Sequence, residues 1–281
     1  MTLRQALDQS LNVPSVQVLY LAGIENTMAT ARKMGITSLG DGKNFGLSLV
    51  LGGAEVKLVD LVTAYGVFAN DGISEGQNYI LKVTSGDGTV LEEYKKDEER
   101  VLDQQVVRMM SDILSDNNAR APIFGFNNAL HLADRPVAAK TGTTQDGRDG
   151  WLVGYTPSLA VGIWAGNNNN TPMTQAGAGI SAAGPLWHEF MTQALKDTPV
   201  EIFIKPDPVV TDKIMLNGSY NGPDGIHSIL YYVNKKDPQG PPPSNPEVDP
   251  QFKNWETVVL NWAGGFSIST PTPENSPTPT Q

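Results

Sequence analysis

Lys140-Thr141-Gly142-Thr143 follows the apolar approach Pro136-Val137-Ala138-Ala139 and precedes a Gly/Asp-rich turn, Gln145-Asp146-Gly147-Arg148-Asp149-Gly150. An apolar run resumes at Trp151. Short apolar runs bounded by turn residues read as strands. Val137–Lys140, Trp151–Tyr155 and Leu159–Trp164 are therefore predicted as three successive strands. Only Thr156-Pro157-Ser158 joins the last two, and so short a connection implies an antiparallel pair. Gly184-Pro185 is predicted to open a closing helix that runs through Leu195.

Upstream of these strands the pattern turns helical. Thr2-Leu3-Arg4-Gln5 reads as a capping box, and the helix it starts should end near Ser10. Pro14 can open a second helix, with Val16, Leu19 and Tyr20 on its buried side and Gly23 as its stop. Asn26 or Thr27 is expected to cap a third, ending at Gly35. Leu47 to Gly53 reads as a buried strand or an apolar loop. Glu55 to Asn70 carries Val56, Val59, Leu61, Val62, Tyr65 and Phe68 near the helical period, and Asn70-Asp71-Gly72 should stop it. Tyr79–Val83 and Thr89–Leu91 flank Ser85-Gly86-Asp87-Gly88, a hairpin signal. Lys95 to Arg100 is a charge run expected on a solvated loop, and Asp103 to Asn117 another amphipathic helix. Helices first and strands after give an α+β class with an antiparallel sheet flanked by helices.

Composition changes near Thr198-Pro199. Residues 1–198 are expected to form one domain, and 199–265 an extension or small module rich in Pro, Asn, Asp and Gly. That module holds the strand-like Ser228–Val233 and a stiff linker at Gly240-Pro241-Pro242-Pro243. Residues 266–281, rich in Ser, Thr and Pro, are expected to be a disordered tail.

A net charge of −10 argues against nucleic acid as a partner, because phosphates need a basic footprint. The absence of cysteine excludes a disulfide scaffold, a thiolate nucleophile and a cysteine-built zinc site. His131, His188 and His227 are widely separated and match no metal-ligand spacing. No apolar run approaches the ~20 residues that span a bilayer. Met1-Thr2-Leu3-Arg4-Gln5-Ala6 does not read as a signal peptide, since no apolar stretch follows a basic start.

The triplet Lys140-Thr141-Gly142 is similar to one of three motifs of active-site serine enzymes that act on penicillins and cell-wall peptides. A second, Ser-x-Asn, stands at Ser10-Leu11-Asn12. The likeness reaches further. Ala6-Leu7-Asp8-Gln9-Ser10-Leu11-Asn12-Val13-Pro14 resembles the Ser-x-Asn region of class A penicillin-binding proteins, and Ala64 to Gly72 resembles their Ala-Tyr-(x)-x-Phe-Ala-Asn-Gly-Gly segment. Lys140 to Thr144, Asp149 to Pro157 and Ile163 to Asn167 continue the match in the family's order, so the resemblance covers roughly Thr2 to Leu195.

The resemblance implies a penicillin-binding transpeptidase / β-lactamase-like fold. It also implies a D,D-transpeptidase of peptidoglycan synthesis that works through an acyl-enzyme, with stem peptides and β-lactams as partners and no cofactor. By carry-over, Ser10 relays a proton to the leaving amine and Asn12 hydrogen-bonds the acyl side chain's amide. Lys140 holds Ser10 by a charge-assisted hydrogen bond, Thr141 and Thr143 grip the terminal carboxylate, and Gly142 lets substrate approach the strand edge. The Thr143 backbone N–H would supply one oxyanion donor.

The third motif, Ser-x-x-Lys, carries the family's nucleophile, and no serine in the chain has lysine three positions later. The expectation is therefore an N-terminally truncated transpeptidase domain, inactive alone. Its full-length parent would be anchored at the extracytoplasmic face of a bacterial cell membrane, with a glycosyltransferase domain upstream. Alternatives are a D,D-carboxypeptidase or β-lactamase relative that uses water as acceptor, and a non-catalytic remnant that binds wall peptides.

Overall fold

The computed structural model describes residues 2–40, 45–174 and 179–208, and beyond these 210, 221–222, 225–226, 240–241, 244–245, 248 and 250–254. By their contacts the residues fall into two units, Met1–Pro208 and Val209–Gln281. The predicted strand at Ser228–Val233 and the predicted disordered tail lie outside the described residues. The first unit is helix and antiparallel sheet together, as the sequence pattern predicts.

Three helices open it: α1 (Leu3–Asp8), α2 (Asn12–Ala22) and α3 (Ile24–Lys33). The capping box at Thr2 is present, with the Thr2 hydroxyl accepting from Gln5 N–H at 3.2 Å and Gln5 Oε1 accepting from Thr2 N–H at 3.0 Å. α2 begins two residues before Pro14, and Tyr20 is exposed rather than buried; Leu19 carries the buried contact. Gly23, at φ +84°, both ends α2 and leads into α3, so α3 starts at Ile24 and not at a side-chain cap on Asn26 or Thr27. Leu47–Leu51 is a half-exposed 3₁₀ turn, neither strand nor buried loop.

α4 (Leu58–Ala69) starts later than its periodicity suggests. Its deepest residues are Asp60, Ala64 and Val67, while Val59 is exposed. Asp60 can be buried because Thr37 N–H and Thr37 Oγ1–H donate to it at 3.0 and 2.6 Å, and Gln77 at 3.2 Å. Four short strands follow. β1 (Ile73–Ser74) pairs with β4 (Glu99–Arg100), inside the predicted charged loop, and β2 (Lys82–Thr84) forms the predicted hairpin with β3 (Val90–Glu93). α5 (Gln104–Leu114) fills most of the helix predicted over Asp103 to Asn117, and it is followed by α6 (Asn117–Phe124), which the sequence pattern does not predict. Asp116 caps α6 by accepting from Ala119 N–H at 3.0 Å.

The central sheet has the order β5 (Ala138–Thr143), β6 (Asp149–Tyr155), β7 (Ala160–Gly166), antiparallel throughout. α7 (Gly179–Leu195) packs on one face and α4 on the other. Strand alternation sorts the sheet's side chains between the two. Ala139, Leu152 and Val161 join Trp187, Met191 and Leu195 of α7 in the main core. Ala138 and Tyr155 join Leu114 in a second core, with Tyr65, Phe68 and Phe203 packed around it. The glycines at the contacts are steric requirements. A Cβ on Gly154 would lie 2.4 Å from the Trp187 ring, and one on Gly162 2.4 Å from Val62 of α4.

α7 begins five residues before Gly184-Pro185 and carries Pro185 in its interior. Packing of Trp187, Met191 and Leu195 on the sheet holds the helix through a residue that lacks the N–H to continue its ladder. No helix among the described residues is long and apolar enough to cross a membrane.

Candidate active site

The turn that ends α1 sets the site. Gln9 leaves the helix, and Ser10 takes the left-handed conformation at φ +56°, which is uncommon for a residue with a Cβ. Its N–H donates to Leu7 C=O and the Leu11 N–H to Ala6 C=O, both at 3.0 Å, so the turn is tied to the helix it leaves. α1 is itself anchored to α5 and α6. Arg4 donates to Asp112 Oδ2 at 2.5 Å, to Asp112 C=O at 2.9 Å and to Asp116 Oδ2 at 3.2 Å, and Gln9 Nε2 donates to Ala119 C=O at 3.2 Å.

This anchoring brings Ser10 to β5. Lys140 Nζ donates to Ser10 Oγ at 2.7 Å and to Thr141 C=O at 2.8 Å. Lys140 and Gly142 share one face of β5, and Thr141 and Thr143 the other. Thr143 Oγ1 accepts from the Gly179 N–H at 3.0 Å, which leaves its own proton free to donate elsewhere. A Cβ on Gly179 would sit 2.4 Å from Gly142 C=O, so the start of α7 can lie against β5 only as glycine. Gly142 is different: a Cβ there meets only Trp151 Cβ, at 3.4 Å, an ordinary contact. Asn12, the first residue of α2, is exposed, and its side chain has no hydrogen bond among the described residues. Among the described residues no strand pairs with the outer edge of β5, and such an edge is where an extended ligand adds as a further strand.

The turn after β5 is clamped by a residue to which the sequence assigns no role. Asp149 accepts from Thr144 Oγ1–H at 2.8 Å and from the Trp164 indole N–H at 2.9 Å, and its own N–H donates to Thr144 Oγ1 at 2.9 Å.

Two further charges behind Ser10 also escape the sequence motifs. Asp8, in the last turn of α1, is 4% exposed, and neither carboxylate oxygen has a partner among the described residues. Arg120 of α6 is 2% exposed and donates to the carbonyls of Leu114 and, at 3.2 Å, of Leu130. Burial pushes the Asp8 carboxyl up to about 7; Arg120 opposes this most, Asp116 adds to it, and Arg4 and Lys140 oppose it. Burial likewise brings the Lys140 ammonium down to about 8, helped by the Arg120 charge and opposed by Asp8. The available signal was an acid at the C-terminal end of a helix, where the macrodipole disfavours it. Arg120 carries no such signal, because it lies beyond the helix predicted over Asp103 to Asn117, in a helix the pattern does not show.

Residues 1–192 match the family model described as the penicillin binding protein transpeptidase domain. The chain is 34% identical over 213 residues to penicillin-binding protein 1A of Aquifex aeolicus, covering 75% of this chain and 28% of that protein. It is 34% identical over 229 residues to penicillin-binding protein 1A of Mycobacterium tuberculosis, covering 73% and 28%. The chain thus spans under a third of the length of these two curated relatives. A solved structure of the PonA1 protein from Mycobacterium tuberculosis in complex with penicillin V superposes with a TM-score of 0.64 at 31% identity, over 74% of this chain and 60% of that one. Penicillin-binding protein 1A from Haemophilus influenzae, at 22% identity, shares the fold with a TM-score of 0.65 over 76% of this chain and 37% of that one.

Proposed function

The chain belongs to the penicillin-binding transpeptidase family, and from that premise we propose that it supplies the assisting half of an acyl-transfer site for peptidoglycan cross-linking. The observation that carries the reading is the 2.7 Å hydrogen bond from Lys140 to Ser10 beside the open edge of β5.

Acyl transfer at a peptide carbonyl needs a nucleophile, a proton path to the leaving amine, oxyanion donors and a grip on the substrate. Ser10 is the proton relay, held by Lys140 so that its oxygen faces the leaving nitrogen. The nearby ammonium favours a proton leaving Ser10 for the amine, or for the lactam nitrogen of a penicillin. Substrate lies as an extended strand along β5. The Thr143 N–H points one donor at the developing oxyanion, and the Thr141 and Thr143 hydroxyls hold the terminal carboxylate. The free Thr143 proton supports this, since its oxygen is already occupied by Gly179 N–H. Gly142 supports it too: among the described residues a Cβ there meets only Trp151 Cβ at 3.4 Å, so the missing side chain leaves room beside the strand for a ligand. Asn12, exposed and uncommitted, is the residue for the acyl side chain's amide.

The nucleophile in this scheme is the serine of a Ser-x-x-Lys segment, which these 281 residues do not contain. On this reading a longer protein, at the outer face of a bacterial cytoplasmic membrane, combines both halves. Incubation with a fluorescent penicillin tests it. The 281-residue chain should stay unlabelled, and a longer chain carrying Ser-x-x-Lys ahead of Thr2 should take up one equivalent. Stoichiometric labelling of the 281 residues alone would overturn the assignment of the nucleophile.

A further inference from the structure

We propose that Asp8 is a positioning residue for the Ser10–Lys140 pair: its buried carboxylate, two residues before Ser10 on the helix that delivers that serine, is the counter-charge that keeps Lys140 a hydrogen-bond-donating ammonium beside Arg120. The proposal rests on the functional reading of Lys140 given above and adds the means by which its charge is held.

An unpartnered buried carboxylate is costly, and a fold that retains one needs a reason for it. Asp8 gains nothing from its own helix, since the last turn of α1 presents the negative end of the backbone dipoles. The charges that act on it come from three elements. Arg4 lies on α1 itself, Asp116 and Arg120 come from the cap and body of α6, and Lys140 comes from β5. Arg4 is already held by Asp112 and Asp116. Arg120 gives its hydrogen bonds to two backbone carbonyls. Lys140 donates only to a hydroxyl and a carbonyl, both neutral, and no carboxylate reaches it as an ion pair among the described residues.

Arg120 is fully buried behind the site, and its positive charge disfavours the Lys140 ammonium. Of the groups that act on Lys140, Asp8 alone favours its charged form. Take that acid away and the ammonium loses its counter-charge while Arg120, which cannot shed its proton, stays. The neutral amine still has N–H groups to donate to Ser10, but the hydrogen bond is no longer charge-assisted, so its electrostatic support of a proton leaving Ser10 is lost. Asp8 itself ionises close to neutrality, so the two groups exchange influence across the range in which Lys140 titrates.

Competitive acetylation with acetic anhydride across a pH series, read lysine by lysine by mass spectrometry on the 281-residue chain, measures the midpoint for Lys140. Exposed Lys82 in the same sample is the reference. Asp8→Asn should lower the Lys140 midpoint by about one pH unit, a tenfold change in proton affinity, and leave Lys82 where it was. Asp8→Glu, which keeps the charge, should keep the wild-type midpoint. An unmoved Lys140 midpoint in Asp8→Asn, or the same fall in both variants, overturns the proposal.

Should Asp8→Asn fail to fold, the wild-type curve decides. Coupling to Asp8 predicts a Lys140 transition broader than a one-proton curve, and a one-proton curve contradicts it. The readout requires no acyl transfer. A protein that never acylates leaves the titration result standing, and an unmoved midpoint leaves acylation to its own test.

Discussion

Lys140 and Ser10, 130 positions apart in sequence, are joined by a 2.7 Å hydrogen bond. The turn that makes this possible is held from outside. Arg4 and Gln9 lock α1 onto α5 and α6, and the positive φ of Ser10 turns its hydroxyl toward β5. The polar pair is thus fixed by the packing of three helices rather than by local chain geometry.

In a longer chain that carries Ser-x-x-Lys, Lys140→Ala should slow penicillin acylation by roughly 10²-fold or more, the scale for a positioned acid/base or electrostatic group. Stopped-flow acylation rates check it. An unchanged rate would mean that Lys140 stands beside the chemistry without taking part.

Gly142 and Gly154 should respond in opposite ways. Gly142→Ala meets only Trp151 Cβ at 3.4 Å, so the melting temperature should hold while acylation falls. Gly154→Ala would drive a methyl against the Trp187 ring at 2.4 Å and should cost about 1–3 kcal/mol of stability. Thermal unfolding beside acylation rates separates the two. A destabilised Gly142→Ala with normal acylation would place the glycine's role in the fold.

Stability should fall as pH rises through neutrality. The Asp8 carboxyl ionises at about 7 in the fold against an ordinary 3.8, so folding favours its protonated form. That contribution is complete below about pH 4 and is lost as pH rises through 7, amounting to at most about 4 kcal/mol. Asp8→Asn removes the buried charge and should flatten the slope between pH 4 and 7, as read from urea midpoints. An equal slope in the variant would show that Asp8 does not titrate as a buried acid.

Asp149→Ala should leave Thr144 and the Trp164 indole without their acceptor and cost about 1–3 kcal/mol. It should also loosen the turn after β5. Faster hydrogen exchange at the backbone N–H groups of positions 149 and 150 in Asp149→Ala, relative to wild type, is the expected sign. Exchange unchanged from wild type would show that the clamp does not hold this turn.

Much of the sheet was legible, because its strands are short apolar runs separated by residues that must turn. Val137–Lys140, Trp151–Tyr155 and Leu159–Trp164 overlap β5, β6 and β7, with Val137 and Leu159 each one residue ahead of the strand and the strand ends displaced by up to three residues. The helices were read less well where tertiary packing overrode local signals. α7 runs through Pro185 because its small N-terminal residues fit against β5. The helix predicted over Asp103 to Asn117 covers α5 and stops where α6 begins; α6 is short and holds Pro122, so it offers no helical pattern of its own. Ser10 and Lys140 were found through motif resemblance, since no spacing rule brings residues 130 apart together. Asp8 and Arg120 were missed because their interest lies in burial and in partners not made, which a linear pattern does not record.

The central claim is that Ser10 and Lys140 act as one unit on a shared nucleophile, and a double-mutant cycle on the acylation rate tests it most directly. Ser10→Ala, Lys140→Ala and the double variant are compared in a longer chain that carries Ser-x-x-Lys. The account predicts that the double variant loses little more than either single one, because removing one partner already breaks the pair. Losses that multiply in full would contradict it, by showing that the two residues act independently.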